Sequence, residues 1–227
     1  MVIYLGFKWL GNKAIDLKAG GHDVLFLYEE ALGFCLGDVV LDKDGLSAAA
    51  VFTELVGTLA AETGSVDNVV QNHLQSLFDT YGEFVSYNSY VLSYDVKVTD
   101  QIFHRLRTAG GNMTTSCGGY WSECAGSKIV TIKDITMGYD SSKESSDNDV
   151  STALPTTPDS HMIMFEFDNG VSVTLRTSGT EPKIKFYTEI AGSKGELRSV
   201  LTEKLHTFVD ALVNEMLQPD IHGLQRA

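Results

Sequence analysis

The spacing of hydrophobic and polar residues changes period several times along this 227-residue chain. Residues 3–7 and 24–28 are short apolar runs that predict strands, and residues 12–19 predict a helix ended by Gly20-Gly21. Strand, helix, strand is the unit of a parallel sheet. Residues 45–62 place Val51, Leu55 and Leu59 on one helical face. Residues 66–80 do the same with Val66, Val69, Val70, Leu74 and Leu77.

The texture changes near Tyr81. Residues 84–94 are β-rich, residues 100–109 are helical in pattern, and residues 110–126 form a loop of Gly, Ser, Thr and Cys. Residues 129–135 alternate at strand period. Residues 140–159 are polar and predict a mobile loop. Ile163, Phe165 and Phe167 share one face of the next strand, and Asp168-Asn169-Gly170 is a hairpin turn into Val171, Val173 and Leu175. Ile184, Phe186, Thr188 and Ile190 then alternate against Lys183, Lys185, Tyr187 and Glu189. Leu197, Val200, Leu201, Leu205, Phe208, Leu212, Val213 and Met216 stripe a long final helix. The expected fold class is α/β followed by α+β. Residues 1–80 are an incomplete α/β part of the parallel type. Residues 81–227 are a mainly antiparallel sheet packed with two helices.

The net charge of −13 argues against non-specific binding to nucleic acid or to an anionic membrane. It leaves room for a phosphorylated metabolite, which needs only a local basic pocket. No apolar run is expected to approach the roughly 18–20 residues of a membrane span. The start, MVIYLGFKWLGNK, lacks the basic region and cleavage site of a signal peptide. Three cysteines, Cys35, Cys117 and Cys124, suit a reducing compartment and hence the cytoplasm. Cys117 and Cys124 could pair or bind metal, but free thiols are the expectation. The six histidines show no metal-ligand spacing and read as surface or core residues.

Against that acidic background, LRTSGTEPKIKFY at residues 175–187 is unusual. A strand ends at Leu175 and another begins near Lys183. Ser178, Gly179 and Thr180 between them offer hydroxyls and backbone N–H groups, and a glycine there can turn successive amides toward one anion. Arg176 adds a planar fork suited to phosphate oxygens. Lys185 can close the other side. The plain alternative is a turn with solvated cations, and no GxxxxGK[ST] or GxGxxG pattern decides between them.

RTSGTEPKIK closely resembles the C-terminal phosphate-binding loop of the α-D-phosphohexomutases, R-x-S-G-T-E-P-x-x-[RK]. GFKWLGNKA (6–14), LYEEALGF (27–34) and LDKDGLSAA (41–49) follow the order and spacing of that family's third domain. Together they look most like the eukaryotic phosphoglucomutase-2 and phosphopentomutase branch. The similarity is weakest in residues 95–128 and 140–160.

The resemblance implies a sugar phosphate that swaps phosphate with a phosphoserine and turns over as a bisphosphate, the sugar bisphosphate also serving as activator. Four domains would surround the cleft. They supply in turn the phosphoserine, a Mg²⁺ loop, the grip on sugar hydroxyls and the grip on the unreacting phosphate. Here residues 1–80 would be the end of the third domain. Residues 81–227 would be the complete fourth, with a TATA-box-binding-protein-like arrangement. Arg176, Ser178, Gly179, Thr180 and Lys185 would hold phosphate. Glu30, with Glu29 also implicated, would bind sugar, since a carboxylate accepts from a vicinal hydroxyl pair. Ala31 stands where many relatives have Ser. Lys43 would reach phosphate or a sugar oxygen, or be an exposed helix-start lysine. Lys8 would be a site cation or structural, and Leu5 replaces the usual Thr of that corner. Asp42-Lys43-Asp44-Gly45 opens like a calcium loop, but the later ligands are out of register.

No Thr-x-Ser-His-Asn-Pro nucleophile segment and no Asp-x-Asp-x-Asp-Arg metal loop is present; Asp147-Asn148-Asp149 lacks the flanking pattern. No base is paired with the loop hydroxyls, so they cannot serve as nucleophiles. The chain thus reads as the C-terminal part of a phosphoglucomutase or phosphopentomutase, inactive alone and without its own metal site. Its expected partners are a sugar phosphate and the missing N-terminal mutase domains, with no nucleic acid and no membrane. The alternatives are a stand-alone sugar-phosphate-binding module and a non-catalytic protein that docks by its uncovered apolar surface.

Overall fold

The computed structural model describes residues 7–29, 32–37, 40–108, 119–143, 160–193 and 195–227. The chain divides into two compact units, Met1–Leu77 and Phe78–Ala227.

In the first unit α1 (Phe7–Ala19) leads to a hairpin of β1 (Phe26–Glu29) and β2 (Gly33–Leu36). Next come α2 (Gly45–Thr63) and most of α3 (Val69–Tyr81). Helix α1 starts at Phe7 rather than at Asn12, because Phe7, Leu10 and Ala14 continue one inward face. The rest of the expected first strand, residues 3–6, lies outside the described residues. The expected parallel partner of residues 24–28 falls in residues 3–6 and so outside the described residues. β1 pairs antiparallel with β2, placing Tyr28 opposite Phe34 and Leu27 opposite Cys35. The short connection between them cannot span a parallel crossover, which takes about a dozen residues. A small core of Phe7, Ala14, Leu27 and Cys35 closes this hairpin on α1. Gly11 lets α1 approach the chain at Leu41, where an added Cβ would lie 2.6 Å from the Leu41 carbonyl oxygen.

Asp44 caps α2 by accepting from the Leu46 amide at 3.0 Å, and Gly64 ends it in the left-handed region. The predicted face of Val51 and Leu55 is present, but no residue of α2 is buried. With Phe26, Leu32, Phe34 and Phe52 those residues line an apolar groove of about 570 Å³. Contrary to the sequence expectation, α2 is long and apolar enough to cross a membrane, at 19 residues and mean hydropathy 1.2. Glu54 stands mid-helix, where a charge is costly in a bilayer.

The second unit opens with β3 (Phe84–Leu92), α4 (Val96–Thr108), β4 (Glu123–Cys124), β5 (Ser127–Asp134) and β6 (Tyr139–Asp140). It continues with β7 (Met162–Phe167), β8 (Val171–Thr177), β9 (Lys183–Ala191), α5 (Arg198–Leu212), α6 (Pro219–His222) and β10 (Gln225–Arg226). One sheet runs in the order β10-β3-β9-β8-β7-β5-β4, with β6 beside β5. Every one of these pairings is antiparallel. This is a mixed α/β chain whose main sheet is antiparallel. The alternation read in β9 sets its two faces, since Ile184, Phe186, Thr188 and Ile190 are all buried. That face packs in one cluster with Ile102, Phe103 and Leu106 of α4 and Leu201, Leu205 and Leu212 of α5.

The β7–β8 turn needs its glycine. Gly170 has φ +84° and its amide donates to the Phe167 carbonyl at 3.1 Å, so the left-handed position falls on Gly170 and not on Asn169. Arg105 donates to the carbonyls of Glu215 and Met216 in a π-helical turn, Val213–Leu217, that follows α5. Cys35 and Cys124 are buried free thiols; Cys117, Asp147-Asn148-Asp149 and most of the two long loops lie outside the described residues.

Candidate functional site

The β8–β9 hairpin carries the Arg176 loop. Register puts Arg176 directly opposite Lys185, with Tyr90 of β3 beyond Lys185 and Met162 of β7 beyond Arg176. Strand period places these residues on the face opposite the core. Like charges directly opposite one another in a sheet repel. Among the described residues neither cation has a carboxylate within ion-pair distance.

Arg176 is held by Tyr187, two residues beyond Lys185 on the same face. Nη2 donates to the Tyr187 hydroxyl at 3.2 Å, and the guanidinium lies 5.5 Å from the ring centroid. Its Nε is buried without a partner. The fork is thus oriented, not neutralised, and one donor is left over. Tyr187 was not picked out from sequence; an aromatic at same-face spacing from Lys185 was the available signal.

The connection itself is pinned at its ends. The Ser178 amide donates to the Lys183 carbonyl at 2.9 Å, so it is spent on the hairpin and is not offered to an anion. The amides of Gly179 and Thr180 have no backbone partner among the described residues. Gly179 does not use the left-handed region, and nothing lies within 4 Å of a Cβ built on it. Glu181 and Lys183 pair at 2.7 Å, and Lys183 stands 4.1 Å over the Tyr90 ring. That hydrogen bond holds the Glu181 carboxyl below its usual range, with Lys183 and Lys185 adding their charge. Lys183 is therefore neutralised locally while Arg176 and Lys185 are not.

Beneath the loop lies a polar cavity of about 310 Å³, lined by Ser93, Thr99, Asp100, His161, Thr177 and Ser178 among others. Behind it Arg107 reaches Asp134 through Nε at 2.5 Å and Nη2 at 3.2 Å. Asp134 is fully buried and also accepts from the Tyr120 hydroxyl at 3.0 Å. Burial, reinforced by the Asp134 charge, pushes the Tyr120 phenol far above its usual range.

In the first unit Glu29 and Lys43 meet over Gly33. A Cβ there would sit 2.8 Å from Glu29 Cγ and 2.8 Å from Lys43 Cδ. Lys43 Nζ pairs with Asp42 at 3.1 Å and lies 4.8 Å over the Phe7 ring. Beside them Leu32 holds a left-handed φ of +60° while 79% exposed. A β-branched or bulky residue rarely adopts that conformation outside strained or functional turns. Glu30, Ala31 and the side chain of Lys8 lie outside the described residues.

Comparison with known proteins bears on both units. Glucose 1,6-bisphosphate synthase of Homo sapiens is 41% identical over 220 residues, which is 96% of this chain and 33% of that protein. Phosphopentomutase of Homo sapiens is 38% identical over 223 residues, 97% of this chain and 34% of that protein. The chain is homologous to the C-terminal part of the α-D-phosphohexomutases. It spans about a third of the length of the curated relatives it matches. A probable phosphoribomutase of Schizosaccharomyces pombe is 36% identical over 97% of the chain and 35% of its own length. No family model matches. The open form of pp63/parafusin, a phosphoglucomutase from Paramecium, aligns with TM-score 0.60 and 15% identity over 96% of this chain and 34% of its own. At that identity the likeness speaks for the fold alone. The phosphohexomutase relationship covers both units, so the hairpin with Glu29 and the loop with Arg176 belong to one homologous stretch.

Proposed function

We propose that this chain is the sugar- and phosphate-recognition portion of a phosphoglucomutase or phosphopentomutase. The whole enzyme would be an intramolecular phosphotransferase of the cytoplasm, interconverting sugar 1-phosphates with 6- or 5-phosphates. The observation that carries the reading is the Arg176–Lys185 pair. Two like charges are set opposite each other on an open sheet face, one stacked and aimed by Tyr187, and among the described residues no carboxylate pairs with either. A phosphoryl dianion between them turns the repulsion into attraction. Ser178, Gly179 and Thr180 would add hydroxyl and amide donors. Glu29 and Glu30 would accept from sugar hydroxyls, and Lys43 would stand beside them.

Residues 1–80 would be the end of the third mutase domain and residues 81–227 the fourth, in a TATA-box-binding-protein-like arrangement. The unburied faces of α2 and the β1–β2 hairpin fit a partner layer supplied by the N-terminal mutase domains. Among the described residues no three potential ligands from His, Cys, Asp and Glu come together for a metal ion. Mg²⁺ would be held by a segment of the whole enzyme that these residues do not match, and the sugar bisphosphate activator would act on that whole enzyme.

The test pairs two measurements on this chain. No turnover of glucose 1-phosphate with glucose 1,6-bisphosphate is expected, and binding of glucose 1-phosphate near ~1 mM is expected, because a half-solvated site screens its charges. Adding the portion of human phosphopentomutase that precedes the matched region, as a separate polypeptide, should restore turnover. Turnover by the chain alone would refute the reading. The second reading is a stand-alone sugar-phosphate-binding module. It draws on the fact that Arg176, Tyr187 and Lys185 all assemble within one unit. Micromolar affinity without any partner would favour it.

A further inference from the structure

The loop at residues 178–182 is fastened to α4 at both ends. At its start the Thr177 amide donates to the His161 carbonyl at 3.0 Å, and the His161 amide donates to Thr177 Oγ1 at 3.1 Å. At its end the Ser93 amide donates to the Pro182 carbonyl at 2.8 Å, and the Ser93 and Thr99 hydroxyls share a bond of 2.8 Å. Thr99 belongs to α4. The His161 ring is itself mounted on α4. It stacks on Phe103 with centroids 4.5 Å apart and planes 12° from parallel. Its Nδ1 lies 3.1 Å from Arg107 Nη1 and its Nε2 lies 2.9 Å from Asp100 Oδ1.

Hydrogen-bonding chemistry fixes the proton on that ring. A guanidinium has only donors, so Nδ1 must accept and the proton must sit on Nε2, donated to Asp100. Arg107 cannot turn away, because Nε and Nη2 are held by the buried Asp134 carboxylate. Asp134 is closed in turn by the Tyr120 hydroxyl and the Met137 amide. A buried acid thus orients an arginine, the arginine sets the tautomer of a histidine, and the histidine braces the strand end between Arg176 and Ser178.

We propose that His161 is a positioning residue of the anion site: its neutral imidazole, accepting from Arg107, fixes the place of its own backbone, whose amide and carbonyl hold Thr177, and so sets the two neighbours of Thr177 that meet the phosphate. This inference rests on the phosphate reading of the Arg176 loop. The charged groups around the ring are Arg107 and Asp100 on α4, Asp134 behind Arg107, and Glu181 and Lys183 across the cavity. Arg107 is the better buried of the ring's two polar partners, with its side chain 13% exposed against 59% for Asp100.

The experiment compares two near-isosteres that each keep one half of the ring's bonding. His161→Asn keeps an acceptor near the Nδ1 position; His161→Gln keeps a donor near Nε2. The probe is sulfate, whose charge is constant across the imidazole range, followed by NMR at the amides of residues 178–180. His161→Asn should hold sulfate within about twofold of wild type, and His161→Gln should weaken it about tenfold, the scale of one charge-assisted bond. Equal losses in both variants would mean a merely structural histidine and overturn the proposal while leaving the anion site standing. No sulfate binding by wild type would overturn the phosphate reading, and this proposal with it.

Discussion

Arg176 on β8 and Lys185 on β9 stand directly opposite each other, and the phenol that steadies the arginine, Tyr187, comes from the lysine's own strand. Arg176 is half-buried in a strand, not exposed in the loop. Arg176→Ala should therefore affect phosphate binding and stability very differently. Phosphate affinity should drop by about 1.5–3 kcal/mol, the range for a charged hydrogen bond. Stability without anion should hardly fall, because the lost stacking is offset by relief of a like-charge pair worth roughly 0.2–1 kcal/mol. Tyr187→Phe keeps the ring and removes the acceptor, so it should weaken phosphate by about 0.5–1.5 kcal/mol. Calorimetric titration with phosphate and thermal melts with and without it read both effects. A large loss of stability with unchanged phosphate affinity would sink the assigned role.

The second unit was legible because most of its strands keep a period of two, β5 breaking it with a register shift between Ile129 and Thr131. One alternation, Ile184 to Ile190, gave the buried face of β9 and so placed Lys185 on the open one. Arg176 was legible as chemistry, but its partner was not. Tyr187 looked like one more outward residue until register put it beside the guanidinium. Asp134, Arg107 and His161 are distant in sequence and meet only because β5, β7 and α4 converge. The first unit was less legible for a different reason. Four-residue strands carry too few positions to show parallel or antiparallel character. Its apolar helices predicted a core that the described residues of α2 do not enter.

Asp134 offers a test of the scaffold behind the site. It is fully buried and takes two guanidinium N–H groups. Asp134→Ala would leave Arg107 as an uncompensated, largely buried charge, which costs about 3–5 kcal/mol. Chemical denaturation should show a fall of that order. Asp134→Asn should cost less, since one acceptor remains. If both variants melt like wild type, the network is not holding the cavity wall.

His222 gives a pH signature separate from the anion site. Burial first, and the charge of Arg105 second, hold its imidazole below the ordinary value of 6.5. The unfolded chain therefore binds a proton that the folded chain refuses. Stability rises with pH wherever the unfolded state binds more protons. The contribution is whole above pH 6.5 and is lost as the pH falls toward the depressed folded value. Thermal melts should show wild type losing stability across that acidic window more steeply than His222→Gln. Parallel curves for the two proteins would remove His222 from the account.

Gly33 tests the sugar side. Its φ lies outside the left-handed region, so alanine fits the backbone there. The added Cβ would nonetheless meet Glu29 Cγ and Lys43 Cδ at 2.8 Å each. Both are side-chain atoms able to swing aside, so the change in stability should stay under about 1 kcal/mol. The displacement falls on two of the three proposed sugar-side groups. Misplacing a binding group by an ångström can cost up to about a hundredfold. Gly33→Ala should therefore lower affinity for glucose 1-phosphate by about tenfold while leaving inorganic phosphate, held by the Arg176 loop, unchanged. Gly57→Ala is the control, because nothing lies within 4 Å of its Cβ. Equal losses for both ligands would show that the hairpin acts on folding and not on the sugar.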